Sequence, residues 1–448
     1  MKLLHILPEI GAGGPARSLL ALVRSTAATH PEVVHRVVAL KRGGYPPLLF
    51  ALSRAGAELS RGVGRDELHR LVAASDVVLI HFWNTPEIWR MLAELPPARI
   101  AIWCMVAGSH EPQKLNGALM ASANIAILTA PAAEGMAAAL RGAPVVPGFV
   151  ERSDLGRLQA VPHEGFNVDY VGTTHRGKIH PRFIAMLSRP EIAAMRVRIV
   201  GGRLDPALEA ERRAAPDPER FSSLGFVEDI APILATSDVF AYPLAENTYA
   251  SSDKSLQEAM LAGVPPVILP HGGPSRFVTH EVDGLIAADE AAFAAAIEDL
   301  YHHPGKRAAL GRAARRTALA AFDTDRLAAT LMDHVTATIA SAPVRLADAL
   351  GIGASTSAAE LFLLAQDWPA EAARSALAAW EACSGDALAD YARGLGDDAF
   401  VVEGGVLHWR NQFPDDRLLR FFTAIFLERQ GRLAEAQAEF TAAGRSGP

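Results

Sequence analysis

Over the first 150 residues, short apolar runs alternate with stretches of helical periodicity. The runs at 3–7, 33–40, 76–81, 100–106 and 125–129 are rich in β-branched residues and lack strict polar alternation, as strands covered on both faces require. Between them, 16–24, 66–74, 87–95 and 132–140 carry polar residues at helical spacing. That alternation predicts a doubly wound parallel sheet. Pro144, Pro147 and the charged stretch at 151–157 mark a crossing into a second α/β series. Its strands are expected at 166–171, 195–200, 238–242 and 267–269, and its helices at 181–187, 230–235, 256–262, 290–300 and 306–319. Two such sheets with strand ends facing each other leave a crevice between them, where ligands bind.

Around 341–357 the composition turns small and polar, with Gly351 and Gly353, and no convincing strand follows. Residues 422–440 read as helix, glycine turn at Gly431, helix, and resemble a tetratricopeptide-type repeat. An earlier relative lies at 361–378, with Gln366, Asp367 and Trp368 in its turn. A plain helical bundle, appended for stability or dimerisation, fits the same pattern. The expected organisation is therefore 1–150, an α/β domain; 165–340, a second α/β domain; and 355–445, a helical module through which the chain could form a homo-oligomer.

Composition narrows the functional classes. With 43 Lys and Arg against 50 Asp and Glu in 448 residues, the net charge is −7 and the isoelectric point about 6.1. Proteins that coat nucleic acid carry a basic stripe instead, so a nucleic-acid partner is not expected. The basic segment 306–316 is read as facing water rather than anionic lipid. The two cysteines, Cys104 and Cys383, supply neither a disulfide framework nor a metal cluster. A reducing cytoplasm is the expected compartment. The apolar start is broken by Pro8 and Glu9 and reads as a strand, and no run approaches the ~20 apolar residues of a membrane span.

The first strand leads into Gly11-Ala12-Gly13-Gly14-Pro15-Ala16-Arg17-Ser18. Glycines permit close backbone approach to a ligand, and the following helix offers free N–H groups. The string fits a dinucleotide fingerprint only loosely. The second strand ends at Lys41 and Arg42, with no acidic partner for a ribose; NADP is the form those cations would favour. Further on, a strand ends at Tyr242-Pro243, a polar loop follows, and a helix starts with Ser252 or Asp253 as N-cap. Glu258 sits within that helix among apolar residues, and Gly263 stops it. A carboxylate so placed needs a partner, either a ribose diol or a buried Arg.

Gly225-Phe226-Val227, the run from Ile233 to Pro243, Glu258-Ala259-Met260-Leu261-Ala262-Gly263-Val264-Pro265 and the closing Gly272-Gly273 and Asp283-Gly284-Leu285-Ile286 resemble the large retaining glycosyltransferase family with the GT-B fold, often called family four. The resemblance spans roughly 1–340 and is best over 166–287. It implies two Rossmann-like domains facing a crevice, a nucleotide diphosphate sugar as substrate, and no cofactor or metal. Glu258 matches the second of the family's paired glutamates, which holds the ribose. Ala250 stands where the first is expected, with Asp253, Lys254 or Glu246 as substitutes. Lys178 matches the family's diphosphate-binding lysine. Thr173 replaces the usual Arg, for which Arg176 could compensate. Gly272 and Gly273 match the loop near sugar and phosphates, although Arg276 stands where an acid is common. Gly13 and Gly14 match the first glycine-rich loop. His110 is the leading candidate for the sugar-facing histidine, His81 the second, and His5 reads as core. The implied reaction is hexosyl transfer to a glycan or protein acceptor with retention of configuration. The alternatives are a non-catalytic scaffold that keeps the fold, a nucleotide-sugar epimerase and a nicotinamide-dependent dehydrogenase.

Overall fold

The computed structural model describes residues 1–149 and 154–445, so 151–153 of the expected domain crossing lie outside the described residues. The first half contains β1 (Lys2–Leu7), β2 (Val34–Ala39), β3 (Glu58–Arg61), β4 (Val77–Phe82), β5 (Ile100–Cys104) and β6 (Ile125–Leu128), all parallel in the order β3-β2-β1-β4-β5-β6. The second contains β7 (Phe166–Val171), β8 (Met195–Val200), β9 (Phe221–Gly225), β10 (Val239–Tyr242), β11 (Pro266–Ile268) and β12 (Leu285–Ile286), parallel in the order β12-β11-β10-β7-β8-β9. Each sheet starts at its centre and winds outward in both directions. The strand order therefore reverses between β1 and β4 in one sheet and between β7 and β10 in the other. Ligands of doubly wound folds sit at those points.

β1, β4 and β5 are buried along nearly their whole length because helices cover both faces. The edge strands β3 and β9 are largely exposed and polar, and Arg36 on β2 meets Glu58 on β3 at 2.8 Å. In the second sheet the Asp169 carboxylate, fully buried, receives both ends of the Arg198 guanidinium at 2.6 Å. The helix Thr324–Ala337 returns to the first half. Leu327, Leu331 and Val335 pack with Leu3, Leu22, Leu79 and Trp103, and Ser25 donates to Asp325 at 2.7 Å.

The C-terminal helices do not stand apart. Phe362, Trp409 and Phe422 share one hydrophobic cluster with Leu4, Ile6 and Ile80 of the first sheet and with Trp89 and Leu92 of the helix Pro86–Glu94. Asn84 donates to the Ala365 carbonyl at 2.7 Å, and Asn116 to that of Leu364 at 2.9 Å. The helix pairs Ala358–Ala365 with Ala370–Glu381 and Arg417–Arg429 with Leu433–Ala442 fall where the sequence placed helix–turn–helix units. Among the described residues no helix is long and apolar enough to cross a membrane. The expected helix at 132–140 is reduced to Ala138–Arg141, because Pro131 and Gly135 (φ 89°) break the segment before it.

Candidate functional site

A cavity of about 640 Å³ opens between the two sheets at their reversal points. Its floor on the first-domain side is the loop after β1, which ends in Gly13 as N-cap and Gly14 and Pro15 as the first residues of the helix Gly14–Thr29. The first-turn N–H groups of that helix have no helical partners, so the turn offers donors and partial positive charge. Opposite, β7 runs into Gly172, whose backbone (φ 154°) passes so close to Gly201 that a Cβ on Gly201 would strike the Gly172 carbonyl. Glycine at both positions keeps the crevice wall thin.

The second domain brings its charged groups from two loops. Lys178 is buried, and its ammonium lies 3.4 Å from Asp253. Asp253 is the N-cap of the helix Lys254–Leu261, but its carboxylate accepts from the Tyr242 hydroxyl at 2.7 Å instead of capping. Glu258, one turn further on, is 6% exposed and lines the cavity. Ala250 also lines it, held beneath the next loop by a hydrogen bond from the Gly273 N–H at 2.8 Å. No carboxylate occupies that spot.

Lys254 crosses between the domains. Its ammonium donates to the Gly14 carbonyl and to Ser18. Burial lowers its pKa to about 7, and the Glu258 carboxylate opposes that shift. The rest of the same loop docks on the first domain: the Ala107 N–H reaches the Tyr249 carbonyl at 2.9 Å, and the Gly148 N–H reaches Ser252 at 2.7 Å.

Three buried histidines extend from this cavity into the first sheet. His5 Nδ1 lies 3.0 Å from His81 Nε2, and His5 Nε2 lies 2.9 Å from His35 Nδ1. His35 Nε2 lies 2.6 Å from the Thr26 hydroxyl, which itself donates to the Leu22 carbonyl at 2.7 Å. That donation fixes the tautomers. Thr26 has one proton and spends it on Leu22, so His35 must donate from Nε2 and accept at Nδ1. His5 then donates from Nε2, and His81 donates from Nε2. The chain ends at His81 Nδ1, a buried acceptor without a hydrogen-bond partner among the described residues, on a residue that lines the cavity. Burial keeps all three rings neutral: it lowers His35 to about 4 and His81 to about 3, and drives His5 well below its usual value.

The cavity gathers Gly13, Gly14, Thr173, Lys178, Asp253, Lys254 and Glu258, all named by the sequence. Four others stand outside its lining. Arg176 turns to Glu211 at 2.6 Å; His110 lies half-buried on the loop after β5; Gly272 and Gly273 lie behind Ala250 and Ser251, where a Cβ on Gly273 would strike the Ser251 backbone. Lys41, the residue that favoured NADP, is enclosed by Glu403 at 3.4 Å, Glu87 at 3.6 Å and Glu9 at 3.7 Å. A 2′-phosphate would face those carboxylates. The sequence named His81 as its second histidine candidate, which lines the cavity, and read His5 as core; it did not single out the linkage of these two with His35, or Glu403. Histidine inside three apolar strands was the signal available for the first; nothing local marked the second.

Comparison with known proteins agrees with this geometry. The fold is that of the two-domain GT-B proteins, with the helical region added. HepE of Anabaena, solved with UDP-glucose, is 19% identical over 75% of this chain and 100% of its own, with a TM-score of 0.60. The sucrose-phosphate synthase of Thermosynechococcus elongatus is 16% identical over 76% and 100%, TM-score 0.60. A mutant of S. aureus TarM, solved with fondaparinux, alpha-GlcNAc-glycerol and UDP, is 11% identical over 76% and 100%, TM-score 0.60. Residues 167–303 match the family model described as glycosyl transferases group 1. No curated protein matches the chain.

Proposed function

We propose that this chain is a glycosyltransferase that moves a hexosyl group from a nucleotide diphosphate sugar to a hydroxyl acceptor, with retention of configuration. The observation that carries the reading is the convergence of Glu258, Lys178 and the Gly13–Gly14 helix start on one cavity at both reversal points, within and beside the segment that matches the glycosyltransferase model. Glu258 accepts hydrogen bonds from the ribose hydroxyls. Lys178 and the N–H groups at the helix start neutralise the diphosphate as its bond to the anomeric carbon breaks, the moment at which fixed positive charge lowers the barrier most. The acceptor oxygen attacks from the face the diphosphate leaves, and a diphosphate oxygen takes its proton. No enzyme nucleophile is needed.

Uridine diphosphate sugars are the first donors to try, since HepE was solved with UDP-glucose. Ala250 favours a second reading, a fold kept for binding without turnover. Incubation of the purified chain with UDP-glucose and a panel of hydroxyl acceptors separates the two. Transfer predicts acceptor-dependent release of UDP and an α-linked product from an α-linked donor, read from the anomeric proton coupling. A β-linked product contradicts retention, and binding without release favours the scaffold.

A further inference from the structure

Among the described residues, the C-terminal region reaches the cavity at the turn at 402–405. Val402 and Glu403 line it alongside residues of both α/β domains. The turn is built into position. Gln113 donates to the Glu403 carbonyl at 2.5 Å, and the Gly404 N–H donates to His408 Nδ1 at 3.1 Å. Gly404 adopts φ 87° against the Asn84 carbonyl, where a Cβ would collide. On its other side Val402 meets Gly177 of the second domain so closely that a Cβ there would also collide. The Glu403 carboxylate rests on Lys41 and faces Tyr249, whose phenol is pushed up by burial first and by the Asp253 and Glu403 carboxylates after it.

This wall differs in charge from the rest. Arg17 lines the cavity at the helix start, and Lys178 and Arg203 line it from the second domain. At the turn, Glu9 and Glu403 line it, and Lys41 behind them is already shared with the half-buried Glu87, which also meets His408 at 3.3 Å. One ammonium for the two lining carboxylates leaves an excess of negative charge. Asn84, Gln113 and Lys41, which hold the turn, all belong to the first domain, across the crevice from Glu258.

We propose that the turn at 402–405 forms part of the acceptor subsite, and that Glu403, with Glu9, selects a hydroxyl acceptor that is neutral or bears an amine over one that is anionic. The proposal rests on the glycosyl-transfer reading. A half-exposed charge pair contributes up to about 1 kcal/mol, roughly fivefold in affinity.

The test titrates the full-length chain with glucosamine, glucose and glucuronate by calorimetry, both loaded with the nucleoside diphosphate it binds and unloaded. Glucosamine is expected to bind about threefold to fivefold more tightly than glucuronate, and the ratio should fall to about one in Glu403→Gln at an unchanged melting temperature. Lys41→Met separates recognition from mere clasping of the turn. It leaves the carboxylates uncompensated and should raise the ratio; a purely structural Glu403–Lys41 clasp predicts that both variants lose it together. A wild-type ratio near one, a ratio that persists in Glu403→Gln, or no sugar binding overturns the proposal. Failure to bind any nucleoside diphosphate counts instead against glycosyl transfer, and the unloaded titration still reads the charge preference.

Discussion

Acidification should strip stability from this protein through its three linked histidines. In the unfolded chain each ring protonates near 6.5, whereas in the folded chain His35 holds out to about 4 and His81 to about 3, with His5 also well below its usual value. Folded values below unfolded ones mean that the unfolded chain binds more protons as pH falls. The stabilisation is therefore complete above 6.5 and is lost progressively below it. At pH 5 each ring still neutral in the fold costs about 2 kcal/mol, so roughly 4 kcal/mol for His35 and His81, with His5 adding in the same direction. Typical domain stabilities are about 5–15 kcal/mol, so that is a large share. Urea unfolding at pH 7.5 and 5.0 reads the loss directly. Histidine 15N NMR assigns it: the three rings should stay neutral to pH 5, with His81 protonated at Nε2. Thr26→Val removes the acceptor that orients the chain, so His81 should switch to the Nδ1–H form. A ring of this trio that titrates near 6.5, equal stability at both pH values, or an Nδ1 proton on wild-type His81 would refute the reasoning.

Three further outcomes follow from the packing and the domain contacts. Trp409, fully buried in the cluster shared by the C-terminal helices and the first sheet, should cost about 3–5 kcal/mol when replaced by Ala. The loss should appear in the same unfolding transition as the first domain; a separate transition would mean that the helices fold as an independent module. Gly404→Ala forces a Cβ into the Asn84 carbonyl at a positive φ. It should lower the melting temperature and weaken acceptor use, measured as acceptor KM, while an unchanged KM would contradict the role of the turn. Lys254→Ala removes the contacts to Gly14 and Ser18 that tie the domains; small-angle scattering should show a larger radius of gyration, and an identical profile would show that the other loop contacts suffice.

The central strands were legible because burial on both faces leaves runs such as Val77-Val78-Leu79-Ile80 with no polar alternation. The edges were not. Glu58-Leu59-Ser60-Arg61 holds a single apolar residue in four, and Leu285-Ile286 is too short to carry a pattern. The Gly13–Gly14 turn at a strand exit and Glu258, in a helix with its own N-cap and glycine stop, could be read locally; Lys178 was named through the family resemblance. The histidine chain could not, because it depends on β1, β2 and β4 lying side by side in register, with His5 opposite Val37 and Leu79. Glu403 depends on a contact between residues 362 positions apart, Lys41 and Glu403, and no local pattern encodes a separation of that kind. The same holds for the C-terminal helices. Their helix–turn–helix pattern was legible, but their packing against the first sheet emerges only from the shared cluster.

The most direct test of glycosyl transfer in this crevice is calorimetric binding of UDP, GDP, ADP, TDP and NADP to the purified chain, repeated with Glu258→Gln. One nucleoside diphosphate should bind at micromolar strength and lose about tenfold or more with the substitution, as expected when a charged hydrogen-bond acceptor is removed, whereas NADP should not bind. Binding of no diphosphate by demonstrably folded protein, or binding that Glu258→Gln leaves untouched, would contradict the account.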